Sequence, residues 1–268
     1  MKKRGVIISD LHCGHLVGLT PPAYQIKPVR SGTSKRTKWS KIQDELWRAY
    51  VKMLKQHGPF DFCLYAGDGI DGSGKRSGGS ELITTDIEEQ CNMATECIDQ
   101  IRLHAKRGFK VVGCYGTPYH CGEIEDSENH IAKQAGFDKI GSHEWVDVNG
   151  CIIDLKHHIG SSSIPHGRHT AIARDRLQNL LWAERDQQPR ANILLRGHCH
   201  FHNFCGGPNW TSITLPALQA AGTKYGARRC SGIVDWGMTF IEVDNDGGFD
   251  WCCDTIQFKT QKAEVVKI

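Results

Sequence analysis

The chain has 268 residues, with 33 Lys and Arg against 30 Asp and Glu, for a net charge of +3. So weak a field neither demands nor excludes a polyanionic partner, and the length suits one large α/β domain with a sizeable core. No apolar run approaches a bilayer span, and Met1-Lys2-Lys3-Arg4 leads straight into a short strand-like run, so we expect a cytoplasmic protein with no membrane partner.

Gly5 to Ser9 reads as a strand and runs directly into Asp10-Leu11-His12. Leu16 to Ser40 shows no periodicity and carries Pro21, Pro22, Pro28, Lys27, Arg30, Lys35, Arg36 and Lys38, the pattern of a long basic loop. From Lys41 a helix is expected, because Ile42, Leu46, Tyr50, Met53 and Leu54 recur at helical spacing until Gly58-Pro59. Phe62 to Ala66 reads as a strand opening into a glycine-rich loop, Gly67-Asp68 through Gly78-Gly79, with Lys75 and Arg76 at its tip. Its spacing fails the P-loop pattern.

Thr85 to Lys106 predicts a helix burying Ile87, Cys91, Ala94, Cys97, Ile98 and Ile101, and Lys110 to Cys114 a strand leading to Gly116-Thr117-Pro118-Tyr119-His120. Glu123 to Ala135 reads as a helix. Trp145 to Val148 and Cys151 to Leu155 form a hairpin about Asn149-Gly150, ending at His157-His158. After a helix over Arg168 to Arg185, Asn192 to Arg196 leads into Gly197-His198-Cys199-His200. From about 205 to 268 short strands follow, with a turn at Asp244 to Gly248, so we expect a single domain with a β-rich C-terminal part.

Five strand-like runs thus end in Asp or His, which gathers those side chains at the carboxyl edge of a sheet, where open α/β folds place their sites. An Asp and a His two positions apart can face one cation, and the Asp68 carboxylate can bridge it to a second. Imidazole with carboxylate suits Mn, Fe, Zn, Ni or Co better than Ca. Singly, each block has an ordinary reading as a cap, a turn or a pair of core histidines. Cys13 and Cys199 read as neighbours of the ligands, and most of the twelve cysteines as small buried hydrophobes.

In combination the blocks resemble the calcineurin-like metallophosphoesterases, whose pattern runs Asp-x-His, Gly-Asp, Gly-Asn-His, a later His after a strand, and Gly-His-x-His. The resemblance covers residues 6 to 200 and implies an α/β fold of four layers, an α/β/β/α sandwich with two mixed β-sheets. It implies two divalent metal ions, with Asp10, His12 and His200 on the first, Asp68 bridging, and His198 with His157, in preference to His158, on the second. The third block departs from the family, because Thr117-Pro118-Tyr119 stands where Asn is expected; Thr117 or water would fill that place. His120 is the catalytic candidate. The implied chemistry is phosphate-ester hydrolysis by a metal-held hydroxide, phosphodiesters ahead of monoesters, with a DNA or RNA nuclease and a non-catalytic scaffold as alternatives.

His15 outside the blocks and Tyr119 within the third are candidates to line the substrate pocket, and Lys35, Arg36, Lys75 and Arg76 to hold the flank of a larger anionic substrate. Lys224, Tyr225, Arg228 and Arg229 read as a solvated loop, His202 as support behind the ligands, and Trp39 and Trp47 as core or as stacking platforms for a nucleobase.

Overall fold

β1 (Lys3–Ile8) and β2 (Phe60–Tyr65) lie parallel at the centre of a six-stranded sheet, and each is apolar on both faces. Val6, Ile8, Cys63 and Tyr65 point outward and pack with Leu46, Tyr50, Leu54, Cys97 and Ile98. Ile7, Leu64 and Ala66 point inward against Ile153, Leu155, Ile193, Leu195 and Ile213 of a second sheet. Period-two alternation with both faces covered is what makes these strands read as continuous apolar runs. The computed structural model describes residues 1–28, 35–122, 126–162, 164–222, 232–258, 260 and 265–267.

The first sheet adds β3 (Ala105–Cys114) and β4 (Lys139–Gly141) in parallel on one side, and on the other the antiparallel β10 (Trp236–Val243) and β11 (Phe249–Ile256). The second sheet has the order β5 (Glu144–Val148), β6 (Cys151–Lys156), β7 (Ile193–Arg196), β9 (Trp210–Thr214), β8 (Asn203–Gly207). Within it β6, β7 and β9 are parallel and both edges antiparallel, so both sheets are mixed.

Helices α1 (Lys35–His57), α2 (Ile87–Arg102) and α4 (Ser127–Gln134) line the first sheet's outer side, and α5 (Arg168–Ala183) covers β8 and β9 of the second. A single turn, α3 (Pro118–Cys121), lies between β3 and α4. The result is the four-layer α/β/β/α sandwich. Among the described residues, no helix is long and apolar enough to cross a membrane.

Several boundaries differ from the sequence reading, each for a local reason. α1 begins at Lys35, inside the expected loop, because Trp39 extends its buried stripe one turn before Ile42; Trp39 and Trp47 both pack on the core, so neither is a free stacking platform. α2 is shorter than 85–106: the Asp86 carboxylate caps it by accepting from the amides of Glu88 and Glu89, and β2 captures the other end, with Phe60 N–H donating to the His104 carbonyl at 2.9 Å. α4 starts at Ser127, and residues 123–125 lie outside the described residues. β4 was not anticipated; three residues with no fully buried side chain carry no periodic signal. The β-rich C-terminal stretch divides, β8 and β9 completing one sheet and β10 and β11 the other.

Leu64 lies fully buried between the sheets, so Leu64→Ala should lower unfolding free energy by roughly 2–5 kcal/mol. Leu177→Ala, at a position 54% exposed on α5, should change it by less than about 0.5 kcal/mol. Urea denaturation of the two variants measures both.

Candidate metal centre

The parallel strands β1, β2, β3, β6 and β7 stop at one edge of the sandwich, and the chain delivers an Asp or a His just past four of these ends. Backbone bonds lock the deliveries together: Asp10 N–H donates to the Gly67 carbonyl and His12 N–H to that of Asp68, both at 3.0 Å. The carbonyl of His200 accepts from Asp235 N–H at 2.8 Å.

Seven described non-glycine residues have left-handed φ, and five of them are candidate ligands: Asp10 (52°), His12 (45°), Asp68 (54°), His198 (70°) and His200 (55°). Each such residue costs roughly 1–3 kcal/mol, and strain of this kind collects at functional sites. Room for the site comes from glycine. A Cβ on Gly116 would sit 2.1 Å from Asp68 Oδ1, and one on Gly197 2.3 Å from Ser9 Oγ.

Two triads converge, Asp10 with His12 and His200, and Asp68 with His157 and His198, the ligand atoms of each within 4.8 Å of one another. In the first, Asp10 Oδ1 lies 3.1 Å from His200 Nε2, and His12 Nε2 lies 3.2 Å from that same nitrogen. In the second, Asp68 Oδ2 lies 3.1 Å from His157 Nε2. The imidazoles are oriented from behind. His157 Nδ1–H donates to the Ala66 carbonyl at 2.6 Å and His12 Nδ1–H to Asp71 Oδ1 at 3.1 Å, which turns both Nε2 atoms into the site. His157 is buried and His158 exposed, with the His158 ring 4.8 Å from that of His198.

These residues fit divalent cations. Asp10 Oδ1 and His157 Nε2 are buried, near an opposing group, and yet in hydrogen-bond geometry with nothing, the condition of a ligand atom aimed at an ion. Although burial opposes their charge, the histidines hold the Asp10 and Asp68 carboxyls well below the usual range. Burial likewise works against protonated His12 and His157, but the carboxylates they face outweigh it and raise them to about 10 and about 9.

Thr117 stands at the place of the expected Asn. Its amide donates to Asp68 Oδ1 at 2.6 Å, and its hydroxyl lies 3.1 Å from both carboxylate oxygens. His120 packs edge-on to His12, ring centroids 4.4 Å apart, and donates from Nδ1 to the Asp71 carbonyl at 2.9 Å. Burial, followed by the neighbouring His12, lowers His120 to about 4. Tyr119 and exposed Lys75 line a cleft beside His120, and His15 is buried with its Nε2 3.5 Å from Glu81.

The side chains of Lys35, Arg36 and Arg76, and the whole of Lys224, Tyr225, Arg228 and Arg229, lie outside the described residues. His202 does not stand behind the ligands as expected: its ring packs on Phe204 and Trp251, and its Nδ1 faces the Thr214 carbonyl.

Two carboxylates escaped the sequence reading. Asp71 is buried and anchors both His12 and His120; its spacing three residues after Asp68 was the available signal. Glu128 is fully buried, pushed up to about 7 by burial, and accepts from Tyr65 Oη, Cys121 Sγ and Gly69 N. It lies on α4, a separate element that follows the block at residues 116–120, and no local pattern marks it.

No protein-family model matches the chain, and no curated protein sequence matches it. Among solved structures it is similar to Vps29 from Entamoeba histolytica complexed with Zn2+, at 14% identity over 94% of this chain and 98% of that one, TM-score 0.42. It is similar to the phosphoesterase YfcE from E. coli at 11% identity, over 93% of this chain and 98% of that one, TM-score 0.43. An archaeal phosphodiesterase is similar at 10% identity, over 93% of this chain and 99% of that one, TM-score 0.40.

A cation on Nε2 requires a neutral ring, so loading the metal-free protein with Zn2+ at neutral pH should release about two protons, from His12 and His157. Calorimetry in buffers of different ionisation enthalpy counts them. Both histidines are raised above an unfolded value of about 6.5. Their pairing therefore stabilises the metal-free fold fully below that pH and is lost as pH rises through about 9 to about 10. The melting temperature of the metal-free protein should fall across that window. The two mixed sheets, and the order in which Asp and His blocks reach their shared edge, are those that the resemblance to the calcineurin-like metallophosphoesterases implies.

Proposed function

We propose that this chain is a calcineurin-like metallophosphoesterase, a metal-dependent hydrolase of phosphate esters with phosphodiesters ahead of monoesters. The observation that carries the reading is the pair of triads with orphaned, buried ligand atoms at one strand edge. Asp10, His12 and His200 would hold one ion, His157 and His198 the other, and Asp68 would serve both. The donors are nitrogen and oxygen, which favours Mn, Fe, Zn, Ni or Co. When bound, such a pair supplies positive charge for the phosphoryl oxygens and a water acidic enough to attack at neutral pH.

The protein's own groups then divide the remaining work. Thr117 pins Asp68 by two donors, and Gly116, with no Cβ, leaves room for the carboxylate to lie against the backbone. His120 is tied through Nδ1 to Asp71 and has Nε2 left for the substrate; a phosphate anion beside that nitrogen would favour the protonated ring, whose Nε2–H would then steady the phosphate and be given to the departing alkoxide. A scaffold without activity would be expected to have lost ligands, and both triads are complete.

Asp68→Ala should abolish metal binding and hydrolysis together, whereas His120→Ala should lower kcat by roughly 10²–10⁴-fold with most of the metal retained. Metal content by plasma mass spectrometry and turnover of bis(p-nitrophenyl) phosphate and p-nitrophenyl phosphate with Mn, Ni or Zn separate the two. Loss of metal in His120→Ala would make His120 a ligand in place of the absent Asn. A fully loaded wild type that turns over neither ester would overturn the hydrolase reading.

A further inference from the structure

A cleft of about 690 Å3 opens beside His120, between the glycine-rich loop, the start of α2, α3 and the start of α4. That is the volume of a small-ligand site. It contains His120 but none of the six candidate metal ligands, and because His120 packs on His12 at 4.4 Å between centroids, the cleft adjoins the first triad on its His120 side.

The walls state what they accept. Tyr119 stands perpendicular to His120 at 4.8 Å between centroids, and with Pro118 and Ile87, 37% exposed, it offers flat and apolar surface for a ring. Among the described residues, charge on the lining is mixed, with Lys75 against two carboxylates, Glu88 and Asp126, elsewhere on the wall. Backbone donors at both helix starts and in the glycine-rich loop, which could otherwise bind another phosphate, are taken by the chain's own side chains. Asp86 takes the amides of Glu88 and Glu89 at the start of α2, Asp126 takes that of Glu128 at the start of α4, and Gln90 Oε1 takes that of Gly72. A nucleic-acid strand needs a basic track for its successive phosphates, and here both helix starts present their own carboxylates.

Resting on the hydrolase reading above, we infer that this cleft is a leaving-group subsite for an uncharged, ring-bearing alcohol, and that the substrates are small-molecule phosphodiesters rather than nucleic acid. Ile87→Trp narrows the cleft from a partly exposed position at a helix start. In the manganese-loaded enzyme it should cut kcat/KM for bis(p-nitrophenyl) phosphate by about tenfold with metal content unchanged. Independently of activity, thymidine titrated into the metal-free wild type should shift the Tyr119 ring resonances in NMR spectra, and should not do so in Ile87→Trp.

Unchanged kcat/KM in a folded, metal-loaded Ile87→Trp would overturn the inference. So would absence of a thymidine shift in the wild type, or cleavage of a single-stranded oligonucleotide as efficient as that of the diester. A wild type inactive on every ester would instead sink the hydrolase reading, while the thymidine titration would still report whether the cleft takes a ring.

Discussion

Asp10 and Asp68 are buried carboxylates that face imidazoles instead of lysine or arginine, and this arrangement organises the rest of the site. Burying a carboxylate is tolerable only when a cation or a full set of donors meets it. Asp10 has Ser9 Oγ and the amide of His198 on one oxygen and no hydrogen bond on the other. That oxygen and the Nε2 of His157 each lie 3.1 Å from an opposing group without hydrogen-bond geometry, an arrangement complementary to an ion between them and those groups. The left-handed backbone at five candidate ligands is what it takes to turn short side chains from several strand ends toward common points.

That convergence rests in turn on the packing of the sandwich. β1 and β2 bring Asp10 and Asp68 forward side by side because they are parallel neighbours with both faces buried. β6 and β7 bring the histidines from the opposing sheet. Only where two sheets end at a shared edge can both sets meet. Beneath the second sheet, Arg196 is buried against Asp154 at 2.6 Å and Asp175 at 2.8 Å, tying the residue just before Gly197-His198 to β6 and α5. The turn that carries the histidines is thus anchored from behind by ion pairs and from the front by Asp10.

The ligand blocks were legible in the sequence because each is short and follows a strand whose apolar run is plain. Asp71 was half legible, lying inside a loop that drew notice for its glycines. Glu128 was not, since its partners Tyr65 and Cys121 come from other elements. The start of α1 and the strand β4 are not legible in the sequence because their first residues are polar, and packing or pairing elsewhere decides them. His202 shows the converse error: alternation along a strand placed it with His200, but the chain turns between them and its ring joins Phe204 and Trp251.

The sequence by itself determined the order of the strands and helices that lead to the ligand blocks, the identity of the candidate ligands and the class of metal they suit, because strand periodicity and ligand chemistry are local properties of the chain. The tertiary structure alone decided which ligands share a triad, that His157 faces inward and His158 outward, that Asp71 and Glu128 stand behind the ligands, and that a ring-sized cleft adjoins His120. Those are matters of distance between residues far apart in the chain, and distance is set by how two sheets stack, which no local pattern encodes.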